Sequence, residues 1–176
     1  MKDILKSPLT HFIVKVLCFF IVWYVVYELW LLPDGSLDEW ISMNIISISV
    51  GIVDFLGYDV FAYNRVIGIY GNAGIEVVDG CNGIAAMGLF LGFILAYPGS
   101  WDKRLSFSVF GIGIIYFINI IRISVLTITQ QEWPKFFDFT HDYSTTTIFY
   151  ITIFIMWMVW VNYNTLPSSK LQLDSK

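Results

Sequence analysis

Three side chains in this sequence could together perform acyl transfer. Cys81 stands in the run Val77-Val78-Asp79-Gly80-Cys81-Asn82-Gly83-Ile84, at the start of an apolar stretch. Its thiolate would be a nucleophile, and a helix beginning there would offer partial positive charge that favours the ionised thiol. Asp79, two residues away, opposes this unless it caps the helix or pairs with Arg122. Arg122 is the one charged residue of a later apolar run, and Asn119, three residues earlier, falls on the same helical face. A guanidinium so placed suits an oxyanion. His141, in Asp138-Phe139-Thr140-His141-Asp142, precedes the last apolar run, and an imidazole can take and return the thiol's proton. Each residue also has a plainer reading. Cys81 can be a small packed hydrophobe. Arg122 can neutralise Glu28 or Asp79 or anchor its helix, and His141 can be a solvated imidazole. Cys18 sits mid-run among Val16, Leu17, Phe19 and Phe20, where packing suffices, and His11 lies at a run boundary. Two cysteines and two histidines, unclustered, suggest neither a metal site nor a disulfide framework.

The elements that must position these residues follow from composition. The 176 residues are 57% apolar, 18% aromatic and only 14% charged, against about 25% charged in a soluble domain. A chain this short needs polar residues to cover its surface, so a soluble globule and a disordered chain are excluded. A net charge of −4 without a basic patch excludes a nucleic-acid binder. A crossing helix needs about 20 apolar residues. Four runs qualify or nearly do: 12–32, 83–97, 105–129 and 145–163. The first is too long for a cleavable signal and reads as a retained anchor. The stretch 37–56 contains Asp38, Glu39, Asn44, three serines and Asp54, and its polar positions gather on no clean face. It reads as an interfacial or re-entrant helix. Residues 65–78 alternate loosely around Gly71-Asn72 and Gly74, which predicts a β-hairpin. The expected fold is an all-α integral membrane protein. It is a bundle of about four transmembrane helices with one interfacial or re-entrant helix and a small outer hairpin.

Charge sorting sets the orientation. Lys and Arg collect in cytoplasmic loops. With four spans, Lys2, Lys6, Lys15, Lys103, Arg104, Lys170 and Lys176 fall on one side. The other side receives Asp34, Asp38, Glu39, Asp54, Asp59, Glu76, Asp79, Glu132, Asp138 and Asp142, with Arg65 and Lys135. Were 37–56 a further span, Lys103 and Arg104 would face outward. Trp30, Trp40, Tyr97, Trp101, Trp133 and Trp160 fall near the expected boundaries, as an aromatic belt would. The organisation expected is an arm and first span (1–32), an outer segment (33–80), a core of three spans (81–163) and a polar cytoplasmic tail (164–176). The protein is then a multi-pass protein of the inner (cytoplasmic) membrane, with both termini cytoplasmic. Cys81, Arg122 and His141 come to lie at the outer ends of three different spans.

Three blocks in that order resemble the exosortase/archaeosortase family of integral membrane transpeptidases, and most of all the short exosortase F type of Bacteroidetes. Cys81-Asn82-Gly83-Ile84 is similar to the family's nucleophile block, commonly Cys-Ser-Gly-Ile. Asn119-Ile120-Ile121-Arg122-Ile123 is similar to its Asn-x-x-Arg block, and His141 before a last apolar helix to its histidine block. The likeness runs from about Val77 to Val161. It departs at Asn82, where serine is commoner, and in length, since larger members have about twice as many spans. The resemblance implies cleavage of a C-terminal sorting signal on an exported protein, made of a short motif, a transmembrane helix and a basic tail. The new carboxyl end would pass to an unidentified acceptor. It further implies Cys81 as nucleophile, His141 as general base and acid, and Arg122 as oxyanion or thiolate partner. Asn119 and Asn82 would support them, with no metal or organic cofactor. Two other classes compete. One is a non-catalytic partner in surface-polysaccharide or secretion assembly. The other is a small transporter with Asn119 and Arg122 along an anion path, weakened because Arg122 is the only ionisable residue well inside the last three spans.

Overall fold

A computed structural model describes residues 7–165. Lys2, Lys6, Lys170, Lys176 and the polar tail beyond residue 165 lie outside the described residues. Helix α1 runs Pro8–Asp34. Pro8 suits its first turn, where the missing N–H costs nothing, and the left-handed Gly35 (φ 72°) ends it. Within α1, Tyr24–Leu31 is wound as a π-helix. Helix α2 is Ser36–Phe55. Strands β1 (Val60–Tyr63), β2 (Val66–Ile69) and β3 (Ile75–Glu76) follow. Then come α3 (Ile84–Ala96), α4 (Trp101–Glu132) and α5 (Phe137–Thr165).

The four apolar runs of the sequence form α1, α3, α4 and α5, and these pack as one bundle. At one end, Phe12 of α1 meets Phe93 and Tyr97 edge-on at 5.6 and 6.1 Å. Towards the other end, Trp23 of α1 lies over Gly88 of α3 so closely that a Cβ there would stand 2.4 Å from its ring. Gly111 of α4 accepts the Phe90 ring in the same way. Small residues let helices approach where burial alone drives no association. The shared core is Met87, Phe90, Ile94, Ile115, Phe149, Ile153, Met156 and Trp160. Outward, α1, α4 and α5 expose large apolar side chains such as Leu17, Ile21, Phe117, Val125, Phe154 and Ile155, a surface that fits lipid rather than water.

Helix α4 is longer than 105–129, and its 32 residues reach about 48 Å at 1.5 Å per residue. A hydrocarbon core is about 30 Å thick, so the C-terminal part of α4 extends past it. That part is covered by protein. Ile120 and Ile123 pack with Ile45 and Ile46 of α2 and with Ile67 and Val77 of the sheet segment. Gln130 donates to the Gly74 carbonyl (3.1 Å), and Asn72 donates to Gln131.

Among the described residues, α2 is by length and hydropathy one of four helices able to cross a membrane, with α1, α4 and Thr147–Asn164 of α5; Ile84–Ala96 is shorter. Its contacts nevertheless keep both of its ends at one end of the bundle. Asp38 bonds Tyr27 and Asn82 near its start, Ser49 donates to the Ile120 carbonyl of α4, and the sheet segment that follows meets Gln130 and Gln131 near the tip of α4. This placement agrees with a helix that does not cross beside the other four. Its single 20-residue helix has no re-entrant break.

The expected hairpin is present as β2–β3, with Val66 opposite Glu76 and Ile67 opposite Ile75. It gains a third strand. β1 pairs antiparallel with β2 from Val60↔Ile69 to Tyr63↔Val66, turning at Asn64. Asn64 takes φ 51°, a left-handed conformation that asparagine tolerates through its short polar side chain. Helix α5 begins eight residues before the apolar run at 145, so His141 lies inside it rather than ahead of it.

Candidate active site

The segment between β3 and α3 carries the thiol. Gly80 (φ 83°) and Gly83 (φ 85°) bracket Cys81-Asn82, and both conformations are open only to glycine at little cost. Cys81 N–H donates to the Val78 carbonyl at 3.0 Å. Helix α3 starts at Ile84 with Gly83 as its N-cap, so Cys81 precedes the cap by two residues. The amide that the helix presents at this turn is taken by Asn82, whose Oδ1 accepts from Ile84 N–H at 3.1 Å. The sequence expectation of a thiol on a helix N-terminus is corrected accordingly. The positive group that contacts Cys81 is the Arg122 guanidinium, through the main-chain carbonyl.

Arg122 is only 4% exposed. Its Nη1 donates to the Cys81 carbonyl at 3.0 Å and to Asn119 Oδ1 at 2.9 Å. Asn119 completes the triangle by donating from Nδ2 to the same Cys81 carbonyl at 3.1 Å. The three-residue spacing on α4 makes this possible. Buried charge must find acceptors, and here a main-chain carbonyl of the cysteine segment supplies one. The carboxylate partners considered for Arg122 are otherwise engaged or distant in character. Asp79 pairs with Arg65 at 2.5 Å, and Glu28 is exposed. Arg122 Nε is buried and has no hydrogen-bond partner among the described residues.

Helix α5 closes the site on a third side. The Phe149 ring lies 5.9 Å from Arg122 Cζ. A cavity of about 200 Å³ between α3 and α5 is lined by Gly80, Ala85, Ala86, Leu89, Phe149 and Ile153. Another of about 200 Å³ between α4 and α5 is lined by Ile118, Ile121, Arg122, Val125 and Ile148. His141 stacks on Phe137 at 5.9 Å. It shares a helical face with Ile148, seven residues on, and so stands about 10 Å along α5 from that cavity wall. Of the predicted residues, the structure joins Cys81, Asn82, Asn119 and Arg122 directly; His141 stands two turns away along α5.

Two residues were not singled out from the sequence. Asp38 is fully buried, and its Oδ1 accepts from Tyr27 Oη at 2.9 Å and from Asn82 Nδ2 at 2.5 Å. Tyr27 is the one buried residue of α1. The available signal was an acid in a stretch otherwise apolar enough to be a span, combined with a tyrosine in a span. Among the described residues no group of three or more His, Cys, Asp or Glu side chains is placed to hold a metal ion.

A multi-pass helical bundle with a thiol and a buried guanidinium at one end is the class of protein that fold and site define. The comparisons with known proteins agree. The transmembrane exosortase family (EpsH type) matches residues 8–158. The chain is also 30% identical over 149 residues to a probable archaeosortase D of Methanocaldococcus jannaschii, a match covering 84% of this chain and 88% of that protein. No solved structure matches. The chain belongs to the transmembrane exosortase family, whose members are membrane-embedded sorting transpeptidases.

Proposed function

We propose that this protein is a cysteine transpeptidase or peptidase of the short exosortase F type, cleaving C-terminal sorting signals of exported proteins through a thioester. The observation that carries the reading is the double hold on Cys81: Arg122 and Asn119 both donate to its carbonyl. The Cys81 thiol gives its proton to His141, and the resulting thiolate attacks the scissile carbonyl. Negative charge gathers on the carbonyl oxygen, where Arg122 stabilises it; its buried Nε, without a hydrogen-bond partner among the described residues, is a spare donor. The C–N bond breaks, His141 returns the proton to the leaving amine, and the acyl group remains on sulfur. An acceptor nucleophile, or water, then attacks the thioester and gives its proton to His141, releasing the thiolate. His141 lies about two turns along α5 from the Ile148 wall, and its part as proton carrier rests on the resemblance of its block rather than on a contact with Cys81.

The remaining chemistry is positioning. A substrate held by its own transmembrane helix is confined to the bilayer and presented at fixed depth. The active site then faces outward, both termini are cytoplasmic, and the membrane is the inner one. The test is co-expression with a protein ending in a short motif, an apolar helix and a basic tail. Cys81→Ala and Cys81→Ser are expected to leave it uncleaved while accumulating in the membrane at normal levels. Continued processing by Cys81→Ala would make the chain a non-catalytic partner instead.

A further inference from the structure

From the geometry around Asn82 we propose that Asp38 is a positioning residue for Cys81, acting through Asn82 and resting on the cysteine reading above. Asp38 is fully buried. Its recorded hydrogen-bond partners, Tyr27 and Asn82, are neutral, both on Oδ1, and Oδ2 is buried with no partner among the described residues. A carboxylate taken out of water without a cation is costly, so the position calls for a reason beyond packing.

The reason lies in what a carboxylate does to an amide. Its Oδ1 accepts from the Tyr27 hydroxyl and the Asn82 amide alike and donates to neither. It therefore selects the Nδ2 side of Asn82 and turns Oδ1 the other way, to the Ile84 N–H that opens α3. With both ends of its amide engaged, Asn82 cannot turn over without losing two buried bonds. Asn82 is thereby fixed from the side of α1 and α2. Cys81, its neighbour, is fixed from the side of α4 by Asn119 and Arg122. Between two left-handed glycines the segment has little stiffness of its own, and these two holds define where the thiol points. Asp38 touches the thiol in neither case; it sets the direction through one intervening side chain.

The test uses the full chain in membranes, in a Cys18→Ser background, so that alkylation counts Cys81 alone. Turnover of an anchored substrate is expressed per alkylatable Cys81, which removes any effect of unfolded protein. Asp38→Asn is expected to lower kcat at least tenfold with KM within about twofold, because the substrate is gripped elsewhere. Tyr27→Phe, which leaves the Asn82 bond in place, is expected to lose less. The exchange Asp38→Asn with Asn82→Asp restores a donor facing an acceptor, and a carboxylate at 82 still accepts from Ile84 N–H. It is expected to recover at least threefold over either single variant. Wild-type kcat per titrated thiol in Asp38→Asn would overturn the proposal, and so would an exchange no better than the singles. If Asp38→Asn fails to accumulate, the exchange and Tyr27→Phe decide by the same criteria. Cys81→Ala separates the two claims: processing by that variant overturns the cysteine reading, whereas an inactive Cys81→Ala beside a fully active Asp38→Asn overturns only the role of Asp38.

Discussion

Helix α4 buries two arginines, and it holds them in different ways. Arg104 lies in its second turn, stacked over Trp101 with Cζ 5.0 Å from the ring centroid. Arg122 is bonded to the Cys81 carbonyl and to Asn119. Eighteen residues separate them, about 27 Å along the axis, nearly the thickness of a hydrocarbon core. Each leaves its Nε without a hydrogen bond among the described residues, so a spare donor does not distinguish them. Their acceptors do. A guanidinium near a helix start can rest on an aromatic face and reach for water. One buried a membrane's thickness further on must be met by groups of the protein. For Arg122 those groups belong to the cysteine segment and to Asn119. The cost of burying this charge is offset by the main chain of the cysteine segment and by Asn119, so the same contacts that stabilise the fold also orient the candidate nucleophile.

The largest effect is therefore expected at Arg122. Arg122→Lys keeps the charge but loses the planar guanidinium, whose Nη1 meets both Cys81 and Asn119 while its other donors stay fixed in the same plane. Loss of a preorganised oxyanion donor typically lowers turnover about 10²- to 10³-fold, and that range is expected here, read as cleavage of an anchored substrate at equal enzyme level. Arg122→Ala adds instability of about 1–3 kcal/mol, since the Cys81 carbonyl and Asn119 lose a buried partner; thermal unfolding in detergent measures it. If Arg122→Lys cleaves at the wild-type rate, Arg122 supplies charge balance alone and the contrast with Arg104 disappears.

The sequence made the bundle legible because lipid-facing helices are apolar all round, and runs bounded by Gly83 and by Pro98-Gly99 have clear ends. Arg122 and Asn119 stood out for the same reason, as polar residues where polarity is costly. Other features were hidden by a different physics. The buried face of α2 reads Asp38, Ser42, Ile45, Ile46, Ser49 and Val53, a regular helical spacing. It looked disordered by polarity because three of the six are polar, each matched by a distant partner: Asn82 for Asp38, Arg65 for Ser42 and the Ile120 carbonyl for Ser49. Hydrophobic patterning cannot see a polar residue that the fold satisfies from 23 to 71 positions away. Strand β1 escaped because its four residues, Val60-Phe61-Ala62-Tyr63, are apolar or aromatic without alternation. The pairing of Asp79 with Arg65 was likewise invisible, since it depends on β2 returning beside the cysteine segment.

Asn119 sharpens the comparison from within the site. It is fully buried and uses both ends of its amide, accepting from Arg122 and donating to Cys81. Asn119→Ala removes both bonds while leaving the guanidinium its own bond to the Cys81 carbonyl. The expected loss is about 1–3 kcal/mol, which corresponds to roughly fivefold to 150-fold in turnover if it falls on the transition state. Asn119→Asp replaces the donor with a second acceptor, repelling the Cys81 carbonyl while pairing more strongly with Arg122. It is expected to be the less active of the two and no less stable. The reverse order of activity would mean that charge at position 119, rather than its grip on Cys81, matters to Arg122.

The smallest effect is expected at Arg104. Lysine there keeps the cation above Trp101, and its flexible stem reaches water as readily as arginine's. Neighbouring Lys103 already does this, with its Nζ 4.9 Å from the Tyr163 ring centroid. Cation–aromatic contacts near water are worth about 0.5–1 kcal/mol, and lysine forfeits only part of that. Arg104→Lys is therefore expected to cleave substrate within about twofold of wild type, with little change in thermal unfolding. A loss comparable to that of Arg122→Lys would show that the fork geometry matters at both ends of α4. The unpartnered Nε of Arg104 would then belong with Ser108 Oγ, one turn along α4, and Trp160 Nε1, which are also buried without partners among the described residues. That outcome would turn the end of the bundle remote from Cys81 from a simple anchor into a second polar centre, and the contrast between the two arginines would become one of ligands rather than of role.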